Sequence, residues 1–82
     1  MANVSIVDVV DQLENALKRS GVTFFKISWP KFYTINGIER LKDSRSHTLH
    51  SEAISRGIAI GYGKHAVFVA FDDRTNLSDN LL

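Results

Sequence analysis

Cysteine is missing from this chain, so a disulfide framework, a thiolate nucleophile and any cysteine-ligated metal centre are excluded. The same absence fits a reducing compartment, and a cytoplasmic location is expected. No apolar run approaches the ~20 residues that span a bilayer. The opening MANVSIVDVVDQ places acids inside its apolar stretch and no basic residue ahead of it, which is not the pattern of a secretory signal, so no membrane partner is expected. Phosphate-loop, nucleophile-elbow and calcium-loop patterns are missing, as are the glycine-aromatic, GxxG and zinc-finger signatures of common nucleic-acid modules. Internal repeats and low-complexity tracts are also lacking.

What remains is an 82-residue chain, 44% hydrophobic and 23% charged, the composition of an ordinary globular domain. A chain of this length folds as one domain with a thin stability margin, which makes a homodimer a reasonable partner to expect. Residues 74–82 are expected to form a mobile tail. The net charge of +1 conceals a segregation: nine of the ten Lys and Arg, but only three of the nine acids, lie between positions 18 and 64. A basic middle flanked by acidic ends points to an anionic partner.

The clearest helix covers residues 5–20. Ile6, Val9, Val10, Leu13, Ala16 and Leu17 form one apolar stripe, Ser5 caps the start, Val4 staples onto Val9, and Gly21 ends the helix. Residues 22–29, VTFFKISW, read as a half-buried strand, with Thr23, Phe25, Ile27 and Trp29 on one side and Phe24, Lys26 and Ser28 on the other; Pro30 stops it. Asn36-Gly37 predicts a second hairpin across 31–41, placing Tyr33 opposite Arg40 within cation-π reach, although Asn36 followed by Glu39 also resembles a helix cap. Residues 42–47 read as a polar loop, and 48–56 as a short helix closed by Gly57.

The most informative stretch is residues 57–71, GIAIGYGKHAVFVAF, which predicts a hairpin turning at Gly63-Lys64 and pairing Ile60 with Val67. One face then carries Ile58, Ile60, Tyr62, His65, Val67, Val69 and Phe71, and the other Gly57, Ala59, Gly61, Ala66, Phe68 and Ala70. The bulky face is a core face. The small face invites close approach by a helix of the same chain or by a partner, so the hairpin is expected to lie centrally. The fold class is therefore α+β: a small antiparallel sheet of about five strands, in the order α-β-β-β-α-β-β, packed by one long N-terminal helix and one short helix.

Four constellations could carry function. Lys26, Trp29, Lys31, Tyr33, Arg40, Lys42, Arg45 and Lys64 interleave cations with aromatic rings, the two residue types with which a nucleic acid is held, through phosphates and through base stacking. His47, His50, Glu52 and His65 offer imidazole and carboxylate ligands, but a surface or capping role accounts for them better, and neither metal nor cofactor is expected. Tyr62, Lys64 and His65, with His50 or Arg56, could serve a metal-independent ribonuclease of toxin type if they converged. The small face of the last hairpin, with Phe68, could meet a protein or a second copy. A small non-catalytic binding protein is expected, engaging nucleic acid through its basic, aromatic-containing surface. The alternative is a protein-protein adaptor or inhibitor whose basic surface meets an acidic protein patch or whose sheet forms a dimer.

Overall fold

The computed structural model describes residues 3–74 and 77–82. Its elements run α1 (Ile6–Ser20), β1 (Phe24–Ser28), α2 (Trp29–Asn36), α3 (Asp43–Ser55), β2 (Ile58–Tyr62) and β3 (Ala66–Phe71), followed by a single 3₁₀ turn over Asp79–Leu81. The class is α+β with an antiparallel sheet, as expected, but the described residues form three strands rather than about five, in the spatial order β1-β3-β2. Of the expected tail 74–82, residues 75 and 76 lie outside the described residues. No helix among the described residues is long and apolar enough to cross a membrane.

α1 forms as its pattern predicts. Ser5 Oγ accepts from Asp8 N–H at 3.1 Å, Gly21 closes the helix at φ 70°, and Val9, Val10, Leu13 and Leu17 are buried. Glu14 and Lys18 pair at 3.5 Å, as their i, i+4 spacing allows.

The second hairpin does not exist. Residues 29–36 are helical: Ser28 Oγ caps the start by accepting from Lys31 N–H at 3.3 Å, and Pro30 sits in the first turn, where its missing N–H costs nothing. At the other end Gly37 adopts φ 66°, and the Thr34 and Tyr33 carbonyls accept from Gly37 and Ile38 N–H. Asn-Gly marks a tight hairpin and a helix C-terminus for one reason, glycine's tolerance of positive φ, and the Ser28-Trp29-Pro30 start decides between them here. Asn36 is therefore the last residue of a helix and not the cap of a following one. The Tyr33–Arg40 pairing disappears with the hairpin. α3 begins at Asp43, so the expected polar loop over 42–47 is largely its first turns, and Gly57 at φ 74° closes it as anticipated.

β2 and β3 pair as Ile58↔Phe71, Ala59↔Ala70, Ile60↔Val69, Gly61↔Phe68 and Tyr62↔Val67. The turn is thus Lys64-His65, one residue later than predicted, with Gly63 N–H bonded to the Ala66 carbonyl at 2.9 Å. Because each strand end moves by one position, the two faces keep their membership, and Ile60 and Val67 share a side. His65 leaves the bulky face for the exposed turn. Gly63 serves space rather than a positive φ: a Cβ there would lie 2.7 Å from Phe68 Cε2 and 3.0 Å from the Ala66 carbonyl oxygen.

Both layers of the core follow from this. Ile58, Ile60, Val67, Val69 and Phe71 are buried against α1, Phe32 of α2, and Leu49 and Ala53 of α3. No helix among the described residues covers the opposite face, so of the two covers that this small-residue face could take, a helix of the same chain is not the one used. Its cross-strand rows are Phe24–Ala70–Ala59 and Lys26–Phe68–Gly61, and Phe24 and Phe68 stack with centroids 6.0 Å apart while remaining half-exposed. β3 is central and β2 lies at an edge, so the last hairpin is only half central.

Candidate nucleic-acid interface

α3 is held by few side chains. Leu49 and Ala53 are buried, with Arg45, Ser46, Glu52 and Arg56 half-buried along the same side. Everything else on the helix looks outward: Asp43, Ser44, His47, Thr48, His50, Ser51, Ile54 and Ser55 are exposed. The outward face is therefore mostly hydroxyl and imidazole, groups that donate and accept hydrogen bonds, with one acid and one large apolar residue.

Two different elements flank that face. On one side the Tyr62 hydroxyl reaches the Ser46 carbonyl at 3.4 Å, and the Gly63 carbonyl accepts from Trp29 Nε1–H at 2.8 Å, so the hairpin tip carrying Lys64 and His65 is anchored beside α3 and the start of α2. Burial of the Tyr62 ring raises its phenol pKa above the ordinary tyrosine value. On the other side Arg40 and Lys42, from the connection between α2 and α3, share an open groove of about 780 Å³ with Ser44 and Thr48 of α3 and Tyr33 of α2. Arg40, Lys42 and Lys64 form no ion pair among the described residues.

The eight residues expected to bind nucleic acid are thus dispersed. Arg40 and Lys42 lie together beside Tyr33, and Lys64 stands on the opposite flank of α3. Lys26 points from the open sheet face, and Lys31 lies at a separate groove against α1 and β1. Trp29 and Tyr33 are half-buried in a ring cluster: Trp29 meets Phe32 edge-on at 5.9 Å, Tyr33 at 5.7 Å and Tyr62 at 5.9 Å.

Arg45 is occupied by the fold. Its Nε donates to Asn36 Oδ1 at 3.0 Å and its Nη2 to the Val4 carbonyl. Asn36 is fully buried; its Nδ2 donates to the Phe32 carbonyl at 2.8 Å, and its own carbonyl accepts from Val4 N–H at 2.9 Å. One amide and one guanidinium therefore fasten the N-terminal segment, α2 and α3 together. Arg56 plays a parallel part at the other end of α3, where it pairs with Asp11 and Glu14 of α1 and with Glu52 at 2.9 Å. The hydrogen bond with Asp11, aided by Glu52, raises its pKa further above the normal arginine range. Held by three carboxylates, Arg56 is not free to clamp a phosphate.

The described residues contain no group of three His, Cys, Asp or Glu able to hold a metal ion, so His47, His50, Glu52 and His65 do not assemble a centre. The outward face of α3 escaped the sequence reading because its first turns resembled a loop. Leu49, Ala53 and Ile54 are its only large or core-forming apolar residues, too few to mark a helix beginning at Asp43.

The chain matches no protein-family model, no curated protein and no solved structure.

Proposed function

We propose that this chain is a binding protein for duplex nucleic acid, with α3 as the reading element. The observation that carries the proposal is the placement of free cations on both flanks of one exposed, hydrogen-bonding helix: Arg40 and Lys42 on one side, Lys64 on the other. A helix entering a major groove meets base edges along its outward face and a phosphate strand at each flank, and this distribution suits both. The connectivity is compatible with it. A shorter helix, a glycine-started connection and a longer helix reproduce the order of a helix-turn-helix, in which the second helix enters the groove, although the connection here runs over residues 37–42 and is longer than the usual turn.

Of the eight expected residues the proposal keeps Arg40, Lys42 and Lys64 and sets aside Lys26, Trp29, Lys31, Tyr33 and Arg45. Trp29 bonds the hairpin tip and packs with Tyr33 in a half-buried ring cluster, an arrangement that favours duplex over single strands. Arg40, Lys42 and Lys64 each neutralising one phosphate give a salt slope of about −2.7, a loss of about 40-fold in affinity between 50 and 200 mM salt. Fluorescence anisotropy with a mixed-sequence DNA duplex tests this. Absence of binding at the lower salt, or affinity indifferent to salt, overturns the proposal.

A further inference from the structure

The open face of the sheet takes no part in the nucleic-acid reading. We propose that it pairs with its own copy, so that the chain forms a weak two-fold dimer in which two open sheets stack with their strands antiparallel.

The face is apolar and uncovered. Phe24 is 50% exposed and Phe68 38%, and the strand positions around them hold alanine, glycine, Ser28 and Lys26. Lys26 is the only charged residue in the three strands, and it forms no ion pair among the described residues. One cation among apolar side chains does not suit a polyanion, which needs several. It marks a surface made for a mainly apolar partner.

Register selects a second copy as that partner. In the strand order β1, β3, β2 the two middle rows of the face are Phe24–Ala70–Ala59 and Lys26–Phe68–Gly61. A two-fold axis running across the strands between these rows lays each row on the copy of the other. Phe24 then meets the partner's Lys26, Ala70 meets the partner's Phe68, and Ala59 meets the partner's Gly61. No bulky side chain meets its own copy: a cation faces a ring, a ring faces an alanine, and each contact occurs twice. Charge fixes the direction of the axis. Asp72 and Asp73 are exposed at the end of β3, and Asp72 forms no ion pair among the described residues. An axis along the strands would bring these acids against their own copies, whereas the axis across the strands sends them toward the end of the partner's sheet that carries Lys26. The helices, packed on the opposite face, point outward in both copies and leave α3 exposed, so this inference and the nucleic-acid reading fail separately.

Three short strands cover a face of roughly 14 by 17 Å, smaller than a standard stable interface, so the expected Kd is on the order of 100 μM. Sedimentation equilibrium of the full chain up to about 1 mM should show monomer and dimer in exchange. In a mixture of isotope-labelled and unlabelled parent chain, isotope-filtered nuclear Overhauser spectra should join the Phe68 ring to the partner's Ala70 methyl, a measurement that needs no variant. Phe24→Lys sets lysine against lysine and should weaken association about tenfold or more, and adding Lys26→Glu to it should restore the dimer. A monomer at the highest concentration, intermolecular contacts on another surface, a dimer indifferent to Phe24→Lys, or no recovery in the folded double variant each overturns the proposal.

Discussion

Arg45 looks like a nucleic-acid contact in the sequence and like a structural bolt in the fold, and the two roles predict opposite results for its removal. Truncation by Arg45→Ala strips the buried Asn36 Oδ1 of its donor and frees the Val4 carbonyl. A hydrogen bond to a charged group contributes roughly 1.5–3 kcal/mol, and an orphaned buried acceptor costs about 1–3 kcal/mol. Water can reach half-buried Val4 but not Asn36, so the Asn36 side dominates and the expected loss is about 2–3 kcal/mol. For a domain of this size that lowers Tm by on the order of 10–20 °C. Asn36→Ala removes the same bond from the other end, so the double variant should lose less than the sum of the single losses, with a coupling of about 1 kcal/mol or more. The exposed control Arg40→Ala should stay within about 0.5 kcal/mol of the parent. Urea unfolding followed through the single tryptophan, Trp29, gives all four values. An Arg45→Ala protein as stable as the control, or additive losses at Arg45 and Asn36, would refute the bolt.

Two other substitutions probe the frame around the site. Gly63→Ala should destabilise by about 1–3 kcal/mol, because the new methyl collides with the Phe68 ring and the Ala66 carbonyl oxygen, and Phe68→Ala in the same background should recover part of that loss in thermal unfolding. Arg56→Ala leaves Asp11, Glu14 and Glu52 facing one another and should cost about 1–2 kcal/mol at low salt, discounted because the network is partly exposed; measured in about 1 M NaCl, the difference should shrink.

The legible parts of the sequence were those where a local pattern has one physical solution. The α1 stripe with Ser5 and Gly21 specifies a capped amphipathic helix and nothing else. The two faces of the last hairpin are set by side-chain alternation, which survives moving the turn by one position. Asn36-Gly37 was ambiguous because glycine's freedom serves two structures equally, and the resolving signal lay at Ser28 and Pro30, several residues upstream. α3 was read too short because Asp43, Ser44, Ser46 and His47 are weak helix formers, and the fold holds them through Leu49, Ala53 and the Arg45–Asn36 bond, contacts between residues distant in sequence. The basic block was visible as composition, yet only the fold separates Arg40, Lys42 and Lys64 from Arg45, which is spoken for, and from Lys26 and Lys31, which face elsewhere. Similarly, Phe24 and Phe68 gave no sign of meeting until the register placed their strands side by side.

The most direct test is amide chemical-shift mapping during titration of the full chain with a DNA duplex. The account predicts perturbations at Ser44, His47 and Ser51 of α3, at Arg40 and Lys42, and at Lys64 and His65, while Phe24, Lys26 and Phe68 on the open sheet stay still. Shifts concentrated on that sheet, with α3 unmoved, would contradict it.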